Sequence, residues 1–70
     1  MSNTYRATKT GARKLFTDAL SHVESARIRA WATSEHNRPI WEGEALARIR
    51  AGRLDPITLA TSIVSHAIGL

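Results

Sequence analysis

The amino-acid sequence predicts an all-α fold in which one long helix is followed by a short two-helix hairpin, assembled as a homodimer. Three observations lead there. Apolar residues recur at three- and four-residue intervals through most of the chain, and no stretch alternates convincingly with period two. Helix start and stop signals follow one another in order, from Pro39 through Gly52 to Asp55 and Pro56. After Asp55 the chain carries no Asp, Glu, Lys or Arg. Both sides of a terminal helix could therefore lie against protein, which asks for a second copy or a partner.

Taken in order, residues 1–8 lack periodicity and are rich in hydroxyl and amide groups. They read as a mobile arm, basic in character and extending to about residue 9, on a single domain spanning residues 1–70. From residue 10 to residue 34 the pattern is helical. Ala12, Phe16, Ala19, Val23, Ala26 and Ala30 fall on alternating a and d positions of a heptad, a narrow seam that lets a neighbouring helix approach closely. Eleven alanines in 70 residues also produce such spacing without any seam. Ile28 and Trp31 make a second apolar patch off that seam, so two faces of this helix need cover.

The polar run over residues 34–39 ends the first helix, because the residue before Pro39 disfavours helical backbone. A second helix runs from Pro39 or Ile40 to Ala51. Proline suits its first turn, Glu42 and Glu44 face the positive end of the helix dipole, Arg48 and Arg50 face the negative end, and Gly52 supplies the cap. Gly43 inside it costs up to about 1 kcal/mol relative to alanine. Asp55 then caps a third helix with Pro56 at its first position. Along that helix Ile57, Ala60, Ile63, Val64, Ala67 and Ile68 share one stripe, and Thr58, Thr61, Ser62 and Ser65 share another.

Size limits what such a chain can do alone. A domain of 70 residues buries only about 60% of its unfolded surface, so its stability margin is small. There is no cysteine to add a disulfide or a thiolate-bound metal. Self-association is the remaining source of support. The net charge of +4 sits at one end: Arg6, Lys9, Arg13 and Lys14 precede the first carboxylate, Asp18, and from residue 15 onward six arginines balance six carboxylates. No run reaches the roughly 18–20 apolar residues of a membrane span, and no signal-peptide core is present. A cytoplasmic location follows as the expectation.

Little catalytic chemistry is offered. His22, His36 and His66 are far apart and lack HExxH or paired-cysteine context, so no metal or cofactor is expected. Ser62 and His66 lie one helical turn apart but have no third, orienting group. No catalytic residue is assigned, and the chain is expected not to be an enzyme. Nucleic-acid binding has a better claim. Arg6, Lys9, Arg13 and Lys14 could grip phosphates without reading sequence, with Tyr5 as a stacking group. Against it, the helix after Asp55 lacks the Lys, Arg, Asn or Gln that a recognition helix needs.

The chain opens on Met1, is rich in alanine, and holds eight arginines against two lysines. With its size and its layout of long helix plus hairpin over residues 10–70, it resembles the small helical proteins with which temperate phages disable host regulators, the quorum-sensing anti-activators in particular. That resemblance implies a homodimer in the host cytoplasm that binds a host protein such as a transcriptional activator and blocks it sterically. Small phage inhibitors of CRISPR complexes share the same outward description.

The residues themselves supply the expected sites. Ile57, Ala60, Ile63, Val64 and Ile68 are expected to build the core and dimer interface. Phe16, Leu20, Ile28 and Trp31 are candidates for contact with the partner, and Trp31 and Trp41 bracket the polar loop as either a small shared core or an exposed anchor. The function expected is a non-enzymatic protein-protein interaction module acting as an inhibitor or anti-activator. The alternative is a small DNA-binding regulator using its basic arm.

Overall fold

The structure, a computed structural model, describes residues 5–69 and is all-helical, with no strand among the described residues. Four helices follow in order: α1 Lys9–Leu20, α2 Ala26–Ala32, α3 Arg38–Arg50 and α4 Pro56–Gly69. α1 is the hub, packing against both α3 and α4, while α2 packs against α4. The apolar residues of α1 at Ala12, Leu15, Phe16 and Ala19 lie one turn apart in sequence and form its buried stripe. They meet Trp41, Ala45 and Ile49 of α3 and Leu59, Ala60 and Ile63 of α4 in one core.

The helix expected over residues 10–34 is two helices. A straight helix of that length would span roughly 37 Å at 1.5 Å per residue, more than the molecule's longest dimension of 32 Å. The break falls at residues 21–25, where serines at both ends offer the backbone alternative partners. The Ser21 hydroxyl donates to the Asp18 carbonyl at 2.6 Å, and the Ser25 hydroxyl caps α2 by accepting from the Ile28 N–H at 3.2 Å. Val23 between them is 2% exposed, and its carbonyl accepts from the Arg29 guanidinium. Of the alanine seam, Ala12, Phe16, Ala19 and Val23 are buried, while Ala26 and Ala30, beyond the break, are exposed.

The expected arm differs too. Its first four residues lie outside the described residues, but Lys9 already belongs to α1 and Tyr5 packs against the core. The Tyr5 hydroxyl donates to the Asp18 carboxylate, and Thr8 caps α1 by accepting from the Gly11 N–H at 3.1 Å. The segment joining them passes so close to Gly11 that no side chain fits there, as a β-carbon would lie 2.8 Å from the Arg6 carbonyl carbon.

The later signals act as expected. Gly52 takes φ +79°. Around it the Arg53 N–H donates to the Arg48 carbonyl and the Gly52 N–H to the Ile49 carbonyl, the paired bonds that close a helix end on a left-handed residue. Asp55 caps α4, accepting from the Ile57 N–H at 3.0 Å and the Thr58 hydroxyl at 2.9 Å. The two glutamates of α3 serve otherwise than expected, for the first turn of α3 holds no acidic residue. Glu42 approaches Arg13 of α1 at 3.5 Å, and Glu44 accepts from Arg48 one turn on at 2.9 Å.

Candidate functional site

Where α2, α3 and α4 converge they leave a groove of about 340 Å³. Its wall from α2 is Trp31, held in place because the Asn37 side-chain amide donates to the Trp31 carbonyl at 3.0 Å and to the Ser34 hydroxyl at 3.2 Å. From α3 come Ile40, Trp41 and Glu44, whose spacing places them on one side of the helix; from α4 come Ser62 and His66, one turn apart. Trp41, 5% exposed, is the floor. Trp31 meets it edge to face with centroids 6.3 Å apart and planes at 64°, and His66 meets it at 5.3 Å and 86°. The tryptophans thus pack on each other across the loop, the small shared core, with Trp31 half-buried.

Ser62 and His66 do touch, but not as nucleophile and base. His66 Nδ1 lies 3.2 Å from the Ser62 main-chain carbonyl, not from its hydroxyl. A carbonyl only accepts, so this contact is a hydrogen bond in the tautomer that has its proton on Nδ1. Among the described residues no three His, Asp or Glu side chains come together in a way that could hold a metal ion.

The residues expected to form core and dimer interface divide. Ala60 and Ile63 are core, at 4% and 0% exposure, and Val64 is half-buried against it. Ile57 and Ile68 are not core: they are 56% and 73% exposed. The buried side of α4 is rotated toward Leu59, so Ile57, Thr61, Val64 and Ile68 run along an outer flank. The hydroxyls beside that flank are satisfied locally, Thr58 on Asp55 and Thr61 on the Ile57 carbonyl at 3.0 Å.

Among the expected partner contacts, Phe16 is 2% exposed inside the core and offers a partner no surface. Leu20, Ile28 and Trp31 are half-buried, and of these Trp31 lines the groove. Sequence reasoning left Ile40, Glu44 and His66 out of the partner set. The available signal was the spacing of 40, 41 and 44 in a helix that begins just after the Trp31 loop.

Arg6, Lys9, Arg13 and Lys14 are all exposed. Arg6 and Lys14 line a second, smaller hollow with Tyr5, Thr8 and Thr10, whereas Arg13 leans toward Glu42. No described helix is long and apolar enough to cross a membrane. Comparison with protein-family models, with curated proteins and with solved structures finds no match to this chain.

Proposed function

We propose that this chain is a non-enzymatic protein-protein interaction module, a homodimer in the host cytoplasm that acts as an inhibitor or anti-activator by binding a host regulatory protein and blocking it sterically. The outer flank of α4 carries the reading. Ile57 and Ile68 stand in solvent beside Val64 on a helix with no Lys, Arg, Asp or Glu, and the neighbouring threonine hydroxyls already hold internal partners. Dehydrating such a surface costs little in unmet hydrogen bonds. On a chain of net charge +4, an uncharged face is where two copies meet without opposing like charges. The aromatic groove, on the other side of α4, stays open for the regulator.

Light scattering coupled to size exclusion tests the dimer. The wild type should elute near twice 7.7 kDa at both moderate and high salt, and the Ile57→Asp/Ile68→Asp double variant should be a folded monomer. A wild-type monomer, or an unaltered dimer in the variant, overturns this interface. A photo-crosslinking residue at position 40 then tests the blocking role in host cells. A crosslinked transcriptional regulator supports it, and crosslinks confined to unrelated abundant proteins count against it.

A second reading rests on a different observation. Arg6, Lys9 and Lys14 are exposed, and Arg6 and Lys14 share one hollow, so cations stand free for a sequence-independent phosphate contact. A small DNA-binding regulator of this kind would hold duplex through those cations and not through α4.

A further inference from the structure

The groove has a chemical character that narrows what the partner presents. Among its lining residues Glu44 is the one carboxylate and no Lys or Arg lines it, with Arg48 pairing to Glu44 at 2.9 Å from one turn further on, on a chain where cations outnumber carboxylates ten to six. The other polar groups point to the same ligand. Both N–H bonds of Asn37 are spent on Trp31 and Ser34, leaving its Oδ1 as an acceptor. In the tautomer that bonds the Ser62 carbonyl through Nδ1, Nε2 of His66 is the ring's acceptor. Glu44 gives Oε2 to Arg48 and has Oε1 without a partner among the described residues. Apart from the indole N–H groups, the Ser62 hydroxyl that serves either way and the aliphatic side chain of Ile40, the groove is built of acceptors and ring faces.

We infer that the groove receives an arginine side chain of the blocked partner protein, its guanidinium against Trp31 and its N–H groups toward Glu44, Asn37 and His66. This deepens the interaction-module reading and rests on it. A guanidinium is planar, always charged and donor-only, so it can stack on an indole while filling several acceptors at once. An ammonium offers three donors from a point and no face to stack. The size agrees, since about 340 Å³ is at the small end of ligand pockets and suits one long side chain.

The test is an NMR titration of the full chain with the capped peptide Gly-Arg-Gly and its citrulline counterpart, which keeps the shape and loses the charge. The arginine peptide should shift both indole N–H signals saturably, and the citrulline peptide should leave them in place. Glu44→Gln, on a partly exposed position, should weaken the arginine peptide about fivefold. Equal shifts from citrulline, no saturable shift from arginine, or unchanged affinity in Glu44→Gln each overturn the assignment. If a regulator still crosslinks through position 40 while the arginine peptide fails, the arginine assignment falls and the blocking role stands. If the peptide binds and no regulator is captured, the groove chemistry stands and the blocking role falls.

Discussion

The Arg6 main chain crosses directly over the Cα of Gly11, so that a β-carbon at residue 11 would lie 2.8 Å from both the nitrogen and the carbonyl carbon of Arg6. Those are backbone atoms with no rotamer to yield. The chain entering α1 is thus seated on its own first turn, and the seat exists because residue 11 has no side chain.

Gly11→Ala should therefore destabilise the protein by about 1–3 kcal/mol, the usual range for overpacking a filled site, or release the entering segment from α1. Urea unfolding measures the first, and faster tryptic cleavage after Arg6 reports the second. Gly43 is the opposite case. It lies exposed in α3, and a β-carbon added there would meet nothing within 4 Å, so Gly43→Ala should stabilise by about 0.5–1 kcal/mol. A destabilised Gly43→Ala would mean that α3 contacts something at that face.

Tyr5 links the same segment to the far end of α1. Burial, and then the hydrogen bond and charge of Asp18, push its phenol up to about 12 from the ordinary value of 10.0. The folded state thus holds the phenolic proton more tightly than the unfolded chain does. Its contribution is complete below about pH 10 and is lost as pH rises toward about 12. Wild type minus Tyr5→Phe should show that loss across the same interval, and the phenolate absorbance of the folded protein should titrate late. A phenolate that appears near pH 10 would place Tyr5 free in solvent.

Two substitutions on α4 separate folding from assembly. Ile63 is 0% exposed and Ile68 is 73% exposed. Ile63→Asp should unfold the chain, since an unpaired buried carboxylate costs about 4 kcal/mol or more. Ile68→Asp should retain the helical circular-dichroism signal and weaken self-association. If both variants stay folded and dimeric, neither residue belongs where the structure and the proposed interface put it.

For the DNA-binding alternative, Lys9→Ala/Arg13→Ala/Lys14→Ala should abolish any salt-sensitive binding to arbitrary duplex. Arg13 should matter least of the three, because it already faces Glu42. Undiminished binding in the triple variant sinks the basic-end mechanism.

Local chemistry made the second half of the fold legible in the sequence. Asp55, Pro56 and Gly52 each satisfy a backbone need within a few residues, and each does so where expected. Tertiary fit was hidden. Periodicity marks an apolar stripe on α4 but not how wide a 70-residue core can be, so Ile57 and Ile68 read as core although the core ends near Leu59, Ala60 and Ile63. The same lack of scale joined α1 to α2, since Ser21 and Ser25 are weak stop signals whose effect depends on Val23 finding a buried place. The groove was half visible, through the tryptophans flanking one loop. His66 joins them only through the packing of α4, which no spacing within the loop reveals.

The hub helix α1 is the first described helix and one of its two partners, α4, is the last, so neither half of the described fold contains the whole core. Leu15 and Ala19 lie in a core drawn from α1, α3 and α4 together, so their cover is complete only when helices distant in sequence have docked. Clipping α4 would uncover the side of α1 it packs on, so a single cut near one end of the described fold is felt at the other.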